Sequence, residues 1–196
     1  MMNLVVAVAV LCSSALALQA PNTFTLTFQT DVAGQGPIVV AVNRSWAPLG
    51  VDHFYTLVNS AYYAAPAALF RYVPNFVLQF GISGVPATNQ KWLTPINDDP
   101  FVGNSNTVGT LVYATAGPNT RTTQLFINFV DNSFLDKQGF VPFGVITSGL
   151  ATAVAAFNPT PGDSNGVDQN EYSTKGNAWI KKNYPKINFI TNATTS

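Results

Sequence analysis

Leu69-Phe70-Arg71-Tyr72-Val73-Pro74-Asn75-Phe76-Val77-Leu78-Gln79-Phe80-Gly81 sets one arginine and one glutamine among aromatic and branched apolar residues. If residues 76–80 form a strand, alternation puts Val77 and Gln79 on one face and Leu78 and Phe80 on the other. A barrel interior takes Leu78 and Phe80, which turns Gln79 outward toward a groove. A cation beside an apolar concavity can act on a neutral peptide with neither nucleophile nor metal. Taken alone, the stretch fits equally a plain surface arginine and an exposed strand glutamine.

Working outward, Phe24-Thr25-Leu26-Thr27-Phe28-Gln29-Thr30 alternates apolar and polar residues, the pattern of a half-buried strand. Asp31-Val32-Ala33-Gly34-Gln35-Gly36-Pro37 is rich in turn formers, and residues 38–42 predict a second strand, so the pair reads as an opening hairpin. Ala47-Pro48 introduces a helix over roughly 49–60, with Pro48 in the first turn, where its missing N–H costs nothing. Val51, Phe54, Tyr55 and Val58 fall at i, i+3, i+4 and i+7, one face of that helix. Further apolar runs at 76–80, 109–113, 125–129 and 140–146 are separated by Gly, Pro and Asn clusters. The alanine-rich stretch 149–157 predicts a second helix, 158–170 a loop, and Ile187-Asn188-Phe189-Ile190 a closing strand that pairs with the N-terminal hairpin. Many strands, two short helices and no βαβ rhythm predict a mainly β, antiparallel barrel. There is no internal repeat and no interdomain linker.

A length of 196 residues suits one domain with a real core and is short for two. Hydrophobic residues make up 47% and charged residues 9%, which excludes a disordered chain. Nine basic residues cancel nine acidic ones, and there is no basic stripe of the kind a nucleic-acid binder needs. The one local bias, Lys175, Lys181, Lys182 and Lys186, reads as a solvated face.

Leu4-Val5-Val6-Ala7-Val8-Ala9-Val10-Leu11 is an apolar run too short to cross a bilayer as a stable helix. Small residues follow, and Ala15-Leu16-Ala17 fits the small-x-small rule for signal-peptidase cleavage. Residues 1–17 are therefore expected to be a secretory signal, and 18–196 the functional domain. The mature chain is expected outside the cell or in the secretory-pathway lumen (the periplasm in a bacterium), with no membrane attachment and as a monomer. Cys12 is the only cysteine and lies within that signal, so no disulfide is expected. Asn43-Arg44-Ser45 and Asn192-Ala193-Thr194 are glycosylation sequons, meaningful in a eukaryotic host.

Exclusion narrows the chemistry. His53 is the only histidine, so a metal site built on imidazole is not expected, and no cofactor motif is present. No nucleophile elbow surrounds any serine. Asp98-Asp99 is the one adjacent acidic pair, and sequence neighbours do not face each other across a substrate. His53 reads as an ordinary helix residue. What remains is catalysis by binding and electrostatics, for which prolyl isomerisation is a natural candidate. Rotation about an Xaa–Pro bond must break resonance against a barrier of about 18–20 kcal/mol, and nothing need be bonded to carbon. An enzyme need only favour the twisted state, in which the imide nitrogen regains a lone pair that a guanidinium can hydrogen-bond.

A second motif, Ala114-Thr115-Ala116-Gly117-Pro118-Asn119-Thr120-Arg121-Thr122-Thr123-Gln124-Leu125-Phe126-Ile127, follows the first. Together the two resemble the signature of the cyclophilins, peptidyl-prolyl cis-trans isomerases, and the likeness runs from the strand at Phe24 to that at Ile190. The resemblance implies a closed eight-stranded antiparallel β-barrel capped by two α-helices. It implies that Arg71 is the catalytic arginine and that Gln79 orients arginine and substrate. Phe76, Val77, Phe126 and Leu135 match the proline pocket, Ala114, Thr115 and Ala116 the strand that pairs with the substrate backbone, and Gln124 a further glutamine. The implied partners are proline-containing peptides and unfolded or folding proteins.

The departures from the family pattern are specific. Phe70 replaces a histidine common before the arginine, and Thr115 an asparagine. Phe134 stands where a cyclosporin-binding tryptophan is frequent, so cyclosporin binding is expected to be weak. Phe140 aligns with a pocket histidine, across an extra residue in Lys137-Gln138-Gly139. Two other readings use the same residues: a proline-peptide binding module or chaperone with little turnover, and a structural β-barrel of a secreted layer.

Overall fold

The computed structural model describes residues 18–156 and 166–196. The expected signal at 1–17, and most of the expected loop at 158–170, lie outside the described residues. Strands β1 (Thr23–Thr30) and β2 (Ile38–Asn43) form the opening hairpin, followed by helix α1 (Pro48–Asn59). Then come β3 (Ala67–Ala68), β4 (Arg71–Val73), β5 (Val77–Phe80) and a short helix α2 (Pro86–Lys91). Strands β6 (Thr110–Tyr113), β7 (Leu125–Asn128) and β8 (Pro142–Ser148) precede helices α3 (Leu150–Ala155) and α4 (Gln169–Asn183), and β9 (Phe189–Thr195) closes the order.

All pairings are antiparallel, in one sheet ordered β3-β9-β1-β2-β8-β6-β7-β5-β4. The two edge strands, β3 and β4, are separated in the chain only by Leu69 and Phe70. Three residue steps span at most about 11 Å, so the sheet has to curl until its edges meet. Closure is covalent rather than a ladder. Counting 67–73 as one bent strand restores the expected eight; the ladders themselves define nine.

Period-two burial builds the interior. Phe24, Leu26 and Phe28 of β1, Ile38, Val40 and Val42 of β2, and Leu78 and Phe80 of β5 are buried together. Phe28 meets Phe80 edge-on at 5.3 Å and Phe54 of α1 at 6.1 Å. Helix α1 plugs one end with Val51, Phe54, Leu57 and Val58, whereas Tyr55 is half-buried and leans on Phe24 at the rim. No side chain at Ala47 caps this helix. Asp99, fifty residues on, accepts the Leu49 N–H and the Gly50 N–H, both at 2.8 Å.

Helix α4 is the main departure from the expected pair of helices. Only Tyr172, Gly176 and Ile180 of its fifteen residues are buried, a spacing of four that covers the outside of the barrel. Tyr172 and Ile180 complete a second apolar cluster with Ala68, Phe70, Ile82, Val167, Ile187 and Phe189. Lys175, Lys181, Lys182 and Lys186 are all exposed and form a solvated face, on which Glu171 and Lys175 pair one turn apart and Lys181 stands 5.4 Å over the Phe189 ring. The cluster also accounts for Phe70: fully buried under α4, that position suits an aromatic ring and not a titratable one.

The Tyr172 hydroxyl ties α4 to the sheet, accepting from the Ala68 N–H at 2.9 Å and donating to the Ile82 carbonyl at 3.3 Å. Tyr172→Phe should therefore orphan a buried N–H and lower unfolding free energy by about 1–3 kcal/mol, read from urea denaturation. An unchanged midpoint would show that α4 is tethered without it.

Candidate active site

Cross-strand register brings the candidate residues abreast. Arg71 of β4 pairs with Gln79 of β5, Gln79 with Phe126 of β7, and Phe126 with Val112 of β6. Partners across a ladder share a face. Here it is the outer one, because Leu78 and Phe80 take the inner face.

The row has a polar end and an apolar end. Arg71 Nη1 donates to Gln79 Oε1 at 3.1 Å, and Gln79 Nε2 donates to Gln124 Oε1 at 2.8 Å. The Gln79 amide thus receives at its oxygen and gives at its nitrogen, which fixes its side-chain orientation. The guanidinium carbon lies 5.8 Å from the centroid of the Phe76 ring, a cation–π distance. At the apolar end, Val77, Val112, Phe126 and Leu135 form a small buried cluster with Phe76, Ala114 and Phe140 packed against it.

Above this row opens a cavity of about 330 Å³, lined by Arg71, Phe76, Val77, Gln79, Ala114, Thr115, Phe126, Phe134, Leu135, Gln138 and Phe140. Phe140 meets Phe126 edge-on at 5.7 Å, so it is a pocket wall despite the extra residue before it. Phe134 is 56% exposed and stacks on Phe76 at 6.2 Å, forming a lip. A second basin of about 230 Å³ shares Gln79, Ala114 and Thr115 with the first and adds Ala116, Gln124, Thr120, Thr122 and Gln169. Every candidate residue lines one basin or the other. Sequence reading misses Gln138, Thr120, Thr122 and Gln169, the last because it opens the unexpected α4.

Within the 114–116 segment the backbone is already partly committed. The Ala114 N–H donates to the Gln124 carbonyl at 2.9 Å, and the Ala116 N–H to Thr120 Oγ1 at 2.9 Å. Alternation turns the Thr115 N–H and carbonyl to the opposite side.

Behind the cavity lies an amide network that sequence reading also misses. Asn128, fully buried on β7, donates to Asn106 Oδ1 at 3.1 Å and to Thr110 Oγ1 at 2.8 Å, and accepts from Asn132 at 2.7 Å. Asn132 also donates to the Phe76 carbonyl at 3.1 Å, and Asn106 to the Phe140 carbonyl at 2.8 Å. Asp136 accepts from Ser105 Oγ at 2.6 Å and from Asn106 Nδ2 at 2.7 Å. Burial opposes the Asp136 charge, but these donors win and hold its carboxyl below the ordinary range. The network pins the backbone of two pocket rings, Phe76 and Phe140. Its sequence signal is an asparagine inside the apolar run 125–129.

His53 stays out of the row. It is half-buried, edge-on to Trp92 at 5.5 Å and 6.2 Å from the Tyr113 ring.

Such a site can grip a neutral ring and hold a donor beside it, as a non-covalent, peptide-directed isomerase requires. The family described as cyclophilin type peptidyl-prolyl cis-trans isomerase/CLD matches residues 25–176. A peptidyl-prolyl cis-trans isomerase of Acinetobacter baylyi is 30% identical over 140 residues, covering 69% of this chain and 73% of that protein. One from Schizosaccharomyces pombe is 32% identical over 122 residues, covering 59% and 76%. The crystal structure of a cyclophilin type isomerase from Cryptosporidium parvum superposes with a TM-score of 0.62 at 19% identity, covering 89% of this chain and 98% of that one. The chain belongs to the cyclophilin-type peptidyl-prolyl cis-trans isomerases. It is an enzyme of that activity.

The setting of His53 yields a pH prediction. Burial, followed by the nearby Arg121 charge, holds its pKa below the ordinary 6.5 against a hydrogen bond to the Thr122 backbone. The folded chain keeps the ring neutral while the unfolded chain takes up a proton, so this stability is intact above 6.5 and is lost as pH falls from there through the lower folded-state pKa. Between about pH 8 and about pH 5, the melting midpoint of wild type should fall further than that of His53→Gln. Equal falls would show that His53 titrates alike in both states.

Proposed function

We propose that Arg71 is the catalytic residue and that Gln79 positions it, with Gln124 fixing Gln79. The observation that carries this reading is the hydrogen-bonded line from Arg71 through Gln79 to Gln124, set beside an aromatic cavity. The cavity takes a proline ring between Phe76, Val77, Phe126, Leu135 and Phe140. The Thr115 backbone pairs with the flanking peptide, since its neighbours' N–H groups are occupied. As the Xaa–Pro bond twists, the imide nitrogen regains its lone pair, and the guanidinium donates to it. In the planar states that lone pair is delocalised and accepts poorly, so the contact favours the transition state alone. Gln79, accepting from one N–H of the guanidinium, prevents it from swinging into solvent. No covalent bond to the enzyme forms, and no proton ends elsewhere.

Each ~1.4 kcal/mol of such selective stabilisation gives about tenfold in rate. Arg71→Ala should leave the fold intact and cut kcat/KM by about one to several orders of magnitude in a protease-coupled proline-peptide assay. Wild-type turnover in that variant would sink the assignment. In the same assay cyclosporin should inhibit weakly, because the exposed Phe134 offers a ring without an N–H donor; strong inhibition would overturn that part.

Supporting an exported role are the apolar run 4–11 and the small-residue site ending at Ala17. The clients would then be unfolded or folding proteins with exposed Xaa–Pro bonds. Of the two sequons, Asn192 is the better acceptor, exposed on β9 with Thr194 exposed beside it. Asn43 is half-buried, and its side-chain oxygen accepts from the Ser45 N–H and hydroxyl. Protein secreted by a eukaryotic host should begin at Leu18 and carry glycan at Asn192. Intact mass and peptide mapping decide both, and a retained Met1 or a bare Asn192 would count against the corresponding part.

A further inference from the structure

Arg121 takes no part in the row of Arg71, Gln79 and Phe126, yet its guanidinium is buried, the residue being 4% exposed. Nη1 donates to Asp99 Oδ2 at 2.9 Å, Nη2 donates to the Asn97 carbonyl, and Nε lies 3.3 Å from Asp98 Oδ1. Asp99 in turn holds the first turn of α1 through Leu49 and Gly50. Gly50 makes this approach feasible, since a Cβ there would stand 2.9 Å from Arg121 Nη1.

The same helix start also holds the other end of the 114–116 segment. The Tyr113 hydroxyl donates to the Gly50 carbonyl at 3.1 Å, and the Arg121 guanidinium lies over the Tyr113 ring at 5.5 Å. Between these anchors the turn is exposed at Ala116, Pro118, Asn119 and Thr120, and it bonds mostly to itself through Thr115 and Thr120. Its further ties return to the acidic segment. Asn119 Oδ1 accepts from the Asp98 N–H at 2.8 Å, and the Asn119 N–H donates to Asp98 Oδ2 at 2.7 Å.

A buried ion pair is weak evidence for stability, because an apolar pair of the same shape often serves as well. Its best-attested use is to select one arrangement among several. We propose that Arg121, paired with Asp99, is a positioning residue for substrate binding. It sets where the Thr115 backbone meets the peptide by clamping the turn to the start of α1. This rests on the assignment of the 114–116 segment as the peptide-pairing strand.

The test uses the full chain and a proline peptide, with three variants. Arg121→Met removes the clamp yet leaves Asp99 two backbone donors and the positive end of α1. It should raise KM by about two- to thirtyfold with kcat little changed, the pattern of lost uniform binding. Arg121→Lys should fall between, since an ammonium can reach Asp99 but cannot fork to Asn97 and Asp98 as well. It carries the test alone if Arg121→Met does not fold. Thr115→Pro, which deletes the groove-side N–H, should also raise KM. Raised KM in all three variants supports the proposal. If Thr115→Pro raises KM while the Arg121 variants only melt earlier at wild-type KM, Arg121 is merely structural and the proposal falls. If Thr115→Pro keeps wild-type KM, the peptide-pairing assignment fails and takes this inference with it.

Discussion

The register between β4, β5 and β7 puts a guanidinium, an amide and an aromatic ring side by side on the outside of a curled sheet. Arg71 is on an edge strand of only three residues, and its side chain owes its aim to Gln79 in the next strand. Gln79 owes its own orientation to Gln124. A slip of one residue would turn Gln79 into the apolar interior and bring Leu78 or Phe80 out beside the arginine. The apolar demand of Leu78 and Phe80 for the core is therefore also what fixes the chemistry on the opposite face.

Two faces of one sheet thus carry separate duties. The interior is a continuous apolar cluster closed by α1, whereas the outer face holds the small cluster of Val77, Val112, Phe126 and Leu135. Asn128, abreast of Val77 on β5, is a fully buried amide within an otherwise apolar strand. Its amide links Asn106, Thr110 and Asn132, and through them the backbone at Phe76 and Phe140. Buried networks of this kind are costly when incomplete and rigid when satisfied. The aromatic cavity is backed by such a network, which holds the Phe76 and Phe140 carbonyls.

Elements with strong periodicity were legible in the sequence. The alternation of Phe24, Leu26 and Phe28, the spacing of Val51, Phe54 and Val58, and the placement of Gln79 opposite Leu78 and Phe80 all reappear in space. Helix α4 was not legible because its contacts need only Tyr172, Gly176 and Ile180, too few to raise a helical pattern above its polar background. Gly176, at φ 65, further interrupts any regular repeat. The strand count differs by one because Leu69 and Phe70 interrupt pairing at a bend, something burial patterns do not register. In the site, most of the lining residues inside the two motifs were found, whereas Thr120 and Thr122 of the second motif were not. Gln169 and the Asn106–Asn128–Asn132 network come from segments whose nearness only the tertiary fold creates.

Strand β9 lies between β1 and β3, although it follows both by most of the chain. A ribosome therefore delivers two unpaired edges long before it delivers the strand that joins them, and neither can be satisfied locally. Until then the nascent polypeptide carries open hydrogen-bonding groups of the sort that recruit stray strands and slow a β-rich fold. A prolyl isomerase would thus, in its own biogenesis, pass through a stage in which its edges stand open.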